Sequence, residues 1–162
     1  MTPIKVFLSH QQADTSIAAM IAQRLRSYHQ IDVYLDVIDS NMWRGGLDLA
    51  DYIREQLEQC TQLLAVISER TKASQWVPWE IGVATEKERP LASFVERPAI
   101  VPEFLAKWPY LQTVDDIDKY AQTSKRARAT FDSLSRTITA STARRTAFRE
   151  FHTGLKSALG QR

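Results

Sequence analysis

The segment Trp76-Val77-Pro78-Trp79-Glu80 sets an indole and a carboxylate one helical turn apart. Pro78 is tolerated only near the start of a helix, so that helix begins close to Trp76 and Glu80 falls in its first turn. There the positive end of the macrodipole favours an ionised carboxylate, and Trp76 lies on the same face. Such a carboxylate can stabilise developing positive charge, and an indole can stack on a flat ring. Trp43-Arg44-Gly45-Gly46 supplies a second indole and a guanidinium, a donor suited to anions. Ser9-His10 and Asp36 each follow a short apolar run, and Ser74 precedes Trp76. The chain has no GxGxxG and no P-loop, so phosphate binding would rest on side chains and ordinary backbone amides. The single cysteine, Cys60, excludes a disulfide framework and a cysteine-based zinc site, and suggests a reducing compartment. No metal is expected.

These residues need elements to position them. Residues 4–8, 32–35, 63–67 and 91–95 are apolar, β-favouring runs, and 110–114 reads as a fifth, edge strand. Leu63-Leu64-Ala65-Val66-Ile67 is apolar on both faces and belongs at the centre of a parallel sheet. Between the runs lie helical patterns. Asp14 is placed to cap a helix whose apolar positions are Ile17, Ala18, Ile21, Leu25 and Tyr28, with Arg24 and Arg26 toward solvent. Asp48 is placed to cap a second, with Leu49, Ile53, Leu57 and Cys60 on one stripe. Residues 96–109 carry Pro98, Pro102 and Pro109 and read as an irregular connection. The alternation predicts an α/β domain: a flavodoxin-like, doubly wound, five-stranded parallel sheet of order 2-1-3-4-5.

From Ile117 to Ile138 the apolar residues recur at three- and four-residue steps, predicting one long amphipathic helix. Ala147, Phe148, Phe151, Leu155 and Leu159 predict another after a break at Ser141-Thr142. The chain is expected to comprise a domain over 1–120 and a helical C-terminal extension over 121–162. The extension is expected to pack on the domain or on a neighbouring subunit.

In an open parallel sheet the ligand site lies beyond the carboxyl ends of the strands, where the strand order reverses. With order 2-1-3-4-5 that point falls between the first and third strands. Topology alone therefore nominates Ser9, His10, Asp36, Trp43, Arg44, Ser74, Trp76 and Glu80 as neighbours.

In the same residues the chain resembles the TIR (Toll/interleukin-1 receptor) domain family. Val6-Phe7-Leu8-Ser9-His10, Tyr34-Leu35-Asp36, Arg44-Gly45-Gly46 with Leu49, Val66-Ile67-Ser68 and Ser74-Gln75-Trp76-Val77-Pro78-Trp79-Glu80 occur in that family's order and spacing, over about residues 4–120. The resemblance implies a free-standing, bacterial-type protein that cleaves the nicotinamide–ribose bond of NAD+ with the glutamate matching Glu80. The products would be nicotinamide and either ADP-ribose or a cyclic ADP-ribose isomer, serving as an immune, anti-phage type signal. NAD+ would be the substrate, and no cofactor is expected. Trp43 and Trp76 would stack on the nicotinamide or adenine ring and Arg44 would meet the pyrophosphate. The expected partners are NAD+, a second copy of the chain through TIR–TIR contacts, and a separate effector protein that reads the nucleotide product.

Plainer roles stand beside these. A glutamate in a first helical turn complements the dipole on many surfaces. Trp76 and Trp79 can be core residues, Asp36 can cap its loop, and His10 is assigned no acid–base role. Trp43 and Arg44 suit a protein contact as well as a substrate contact, and Cys60 reads as core. The alternative from a different class is a non-enzymatic TIR scaffold that acts by self-association through the loop from Asp36 to Gly46. A response-regulator receiver is rejected, because it needs an acidic pair where this chain has Ser9-His10 and an aspartate where it has Ser68. A nucleoside-processing transferase of related fold is separated by comparing NAD+ with free nucleosides.

The formal net charge of +2 over 162 residues is a cancellation. Residues 1–119 hold 12 Lys+Arg against 17 Asp+Glu, a net of −5, and residues 120–162 hold 9 against 2, a net of +7. Hydrophobic residues at 44% and charged residues at 25% exclude a disordered or low-complexity chain. With no bilayer-length apolar run and no signal-peptide layout, the expectation is a soluble, cytoplasmic protein with no membrane partner. The basic extension reads either as a solvated helical face or as Arg126, Arg128, Arg136, Arg144, Arg145 and Arg149 docking onto an acidic surface. Nucleic acid is not expected, since aromatic residues interleave with the arginines only at core-facing positions.

Overall fold

The apolar runs become five parallel strands in the order β2-β1-β3-β4-β5. The computed structural model describes residues 3–37, 46–71, 81–85 and 87–162, and of Asp36 and residues 46–50 the backbone alone. Along the chain come β1 (Lys5–His10), α1 (Thr15–His29), β2 (Asp32–Val37), α2 (Gly46–Gln59) and β3 (Gln62–Ile67). Helical residues 81–85 (α3), β4 (Leu91–Val95), β5 (Tyr110–Leu111), α4 (Val114–Leu134) and α5 (Ala140–Leu159) follow. β3 is buried throughout, as its two-faced apolar sequence requires of a central strand.

Period-two alternation sorts each strand's side chains onto two faces. Val6, Leu8, Val33, Leu64, Val66, Phe94 and Leu111 pack against α1, α4 and α5. Phe7, Leu63, Ala65, Ile67, Leu91 and Val95 pack against α2, α3 and the connection that holds Ala99 and Leu105, with Cys60 among them. Cys60 is thus core, and burial pushes its thiol up to about 11.

Several local expectations are corrected. β1 and β2 run on through Ser9-His10 and through Asp36, rather than ending before them. β5 is only two residues long, because Thr113 and Asp116 form a reciprocal capping box that starts α4 at Val114. The side-chain amide of Gln161 covers that edge, donating to Tyr110 O at 2.7 Å and accepting from Tyr110 N–H at 3.1 Å. Asp48 lies inside the first turn of α2 rather than before it. The break between the last two helices spans 135–139, not Ser141-Thr142. Thr139 caps α5 by accepting from Thr142 N–H, so Ser141 and Thr142 are helical and Ile138 is exposed.

On α1, Tyr28 is two-thirds exposed, with the Arg24 guanidinium 3.9 Å from its ring centre. Arg24 is not simply solvated. It makes a two-pronged contact with Asp118 of α4, at 2.9 and 2.8 Å, and His29 Nε2 lies 2.7 Å from the same carboxylate. The Arg24 hydrogen bond, seconded by His29, holds the Asp118 carboxyl down at about 2. Arg26 donates to Val33 O.

α4 runs unbroken across residue 120, and both terminal helices reach the sheet. Tyr120 and Phe151 are fully buried and meet edge to face with centroids 5.7 Å apart. At the start of β3 the buried Gln62 carbonyl accepts from Tyr120 Oη at 2.8 Å and Ser124 Oγ at 2.9 Å, so this polar cluster inside an apolar layer is satisfied.

His152 of α5 ties the helix to β4. Its Nδ1–H donates to Phe148 O at 2.7 Å and its Nε2 accepts from Leu91 N–H at 3.3 Å, which fixes a neutral ring among Trp108, Phe148 and Phe151. Burial pushes this imidazole from 6.5 down to about 4. Between those values the unfolded chain binds the proton and the folded chain does not, so stability falls as pH drops through that window. The loss expected from this group is about 3 kcal/mol. Urea unfolding across the window measures it, and His152→Leu is expected to flatten the slope.

Candidate functional site

The site is framed by the carboxyl ends of β1, β2 and β3. Register pairs Ser9 with Ala65 across the switch point between β1 and β3 and with Asp36 on the other side, which puts the Ser9 and Asp36 backbones side by side next to it. Ser9 and His10 are both buried. His10 Nδ1–H points to Leu8 O at 3.4 Å. Asp36 is placed by its backbone alone. Trp43, Arg44, Ser74, Trp76 and Glu80 lie outside the described residues. The backbone that continues from Glu80 is helical over 81–85, where Ile81, Val83 and Ala84 are buried against the sheet.

One feature at this end of the sheet has almost no local signature in the sequence. Asp14, expected as the cap of α1, makes no side-chain capping bond. Its fully buried carboxylate instead holds the loop after β3. Ser68 Oγ donates to Oδ1 at 2.7 Å, Thr71 Oγ1 donates to Oδ2, and Arg70 Nη2 lies 3.3 Å from Oδ1. The loop is drawn tight by Ser68 N–H donating to Thr71 Oγ1 at 3.1 Å and Arg70 N–H donating to Ser68 Oγ at 3.2 Å. Arg70 also reaches Glu96 at 3.4 Å, beyond the end of β4. The knot therefore fixes the β1–α1 connection against the start of the segment that leads to Trp76 and Glu80.

The only sequence signal for this knot is the Ser68-x-x-Thr71 spacing. Its partner stands 54 positions away, out of reach of any local pattern. Asp14→Ala is expected to cost about 3 kcal/mol, because two hydroxyls and a guanidinium lose a charged partner. Denaturant unfolding measures this, and Asp14→Asn should recover part of the loss.

The Tyr34 and Tyr52 hydroxyls meet at 2.6 Å, and the Tyr34 ring stacks on Phe7. Among the described residues, no group of three His, Cys, Asp or Glu side chains could hold a metal ion. Among the same residues, no helix is long and apolar enough to cross a membrane.

Comparison with known proteins gives two findings. A family model described as TIR domain matches residues 6–135. Among solved structures, the chain is similar to the TIR domains in the structure of the activated Roq1 resistosome directly recognizing the pathogen effector XopQ. The TM-score is 0.44 and the identity 13%, over 97% of this chain and 98% of that one. No curated protein matches the chain.

Proposed function

This chain belongs to the TIR domain family, and we propose that it cleaves the nicotinamide–ribose bond of NAD+ with Glu80 as the catalytic carboxylate. The observation that carries the reading is the Trp76-x-x-x-Glu80 pattern just ahead of the helical residues 81–85, in a chain whose strand order puts the switch point between β1 and β3.

The chemistry suits one carboxylate. The bond between ribose C1′ and the pyridinium nitrogen breaks with its electron pair going to nitrogen, so nicotinamide leaves neutral and needs no proton. Positive charge is left on the ribose, as in other glycosidic cleavages. An ionised Glu80 beside the ribose stabilises that charge, and more strongly where water is excluded. Attack of water at C1′ gives ADP-ribose and releases one proton. Attack by another nucleophilic atom of the same molecule gives a cyclic isomer.

Trp43 and Trp76 stack on the rings and Arg44 meets the pyrophosphate. Asp36, Ser9, His10 and Ser74 complete the wall, with the Asp14 knot as a positioning element. NAD+ enters as substrate, without a further cofactor. Assembly through TIR–TIR contacts brings the loops of two copies together. The product signals to a separate effector in a cytoplasmic defence pathway.

The test is to incubate concentrated protein with NAD+ and with free nucleosides. Nicotinamide from NAD+ and no base from the nucleosides is the expected result. A stoichiometric self-complex with no nicotinamide released, dilute or concentrated, would replace this reading by the scaffold.

A further inference from the structure

The opposite end of the sheet holds a cavity of about 340 Å³. It lies where β3 and β4 begin, and its walls come from the end of α2, the turn before β4, and the facing sides of α4 and α5. Three arginines line it: Arg89 from the turn, Arg128 from α4 and Arg144 from α5. Phe131 and Phe148 supply an apolar wall.

The charges in this cavity do not balance. Its two carboxylates are already engaged by cations outside the lining, Glu58 by Lys87 at 3.0 Å and Glu88 by Arg145 at 3.2 Å. Arg128 has Asp132 at 3.4 Å. Arg89 and Arg144 have no ion pair among the described residues, and the Nε of Arg89 is buried without a hydrogen-bond partner. Burial, and then the nearness of Arg144 and Arg128, lowers the proton affinity of Arg89. Like charges gathered around one cavity favour an anion between them, and the guanidinium fork matches a phosphate.

We infer that this cavity binds a phosphorylated small molecule of mononucleotide size. The phosphate lies among Arg89, Arg128 and Arg144, and a flat ring lies against Phe131 and Phe148. The volume sits near the lower end of the roughly 300–1,000 Å³ typical of small-molecule sites, which suits a mononucleotide better than a dinucleotide. The cavity does not include Glu80. It also gives part of the basic C-terminal quarter a role, because Arg128 and Arg144 both belong to it.

Calorimetric titration of the full chain tests this, with AMP, ribose 5-phosphate, inorganic phosphate and adenosine as probes. AMP is expected to bind wild type and Glu80→Ala alike, ribose 5-phosphate and inorganic phosphate more weakly, and adenosine not at all. Arg89→Gln and Arg144→Gln should each weaken AMP by about tenfold. Ala147→Phe, which fills the cavity and leaves its charges in place, should abolish binding while the circular-dichroism spectrum stays that of wild type. Three results would each overturn the inference: no AMP binding, adenosine binding as tightly as AMP, or unchanged AMP binding in both arginine variants.

Discussion

Glu80→Ala is expected to lower the rate of nicotinamide release by about a thousandfold, the scale on which a preorganised electrostatic group acts on a transition state. The leaving group departs neutral, so neither an acid nor a metal is required to expel it. The stabilising work falls on whatever faces the cationic ribose. Glu80→Gln keeps the shape and loses the charge, and it should fall by a similar factor. A loss confined to alanine would mean that volume rather than charge matters. With Glu80 expected in a first helical turn, either change should remove only about 0.5 kcal/mol of helix-dipole attraction, so unfolding midpoints should stay close to wild type. Initial rates of nicotinamide release at matched, high protein concentration make the measurement.

Phe151→Ala is expected to destabilise the protein by about 4 kcal/mol. The ring is fully buried, meets Tyr120 edge to face, and lies in one apolar cluster with Val6, Leu8, Leu64 and Leu25. Its removal leaves a hole bounded by the sheet and three helices, where little can collapse inward. Ile138→Ala, in the exposed break between α4 and α5, should change stability by less than about 0.5 kcal/mol. The contrast, read from denaturant unfolding, separates two descriptions of the C-terminal quarter. A loose appendage would tolerate both changes, whereas helices that cover one face of the sheet would tolerate only the second.

The strands, their order and the central place of β3 are legible in the sequence because two-faced apolar runs alternating with helical periods admit few topologies. Cys60 is legible for the same reason, since it continues the apolar stripe of α2 into the core. Contacts between elements distant in sequence are not. Asp14 looks like a cap in its own neighbourhood, yet its carboxylate serves Ser68, Arg70 and Thr71 across the sheet. Arg24 looks solvated on a helical wheel, yet it grips Asp118 on α4.

The last helices show the same limit at short range. Thr139, Ser141 and Thr142 all have the chemistry of a cap, and only the geometry selects Thr139. At the site, the strand order by itself puts Ser9 next to Asp36, and the register of β1 against β2 agrees. The roles proposed for Glu80, Trp76, Ser74, Trp43 and Arg44 come from motif spacing and family resemblance.

Charge acquires a structural meaning at the N-terminal end of the sheet. Arg145 meets Glu88, while Arg128 and Arg144 join Arg89 around the cavity. Part of the +7 of the last quarter thus faces groups of the same chain rather than solvent alone.

The central claim is tested most directly by chromatography of NAD+ incubated with concentrated wild-type protein and, side by side, with Glu80→Ala at the same concentration. The prediction is nicotinamide in equal amount to ADP-ribose or its cyclic isomer from the wild type, and neither product from the variant. Equal nicotinamide from both proteins would contradict it.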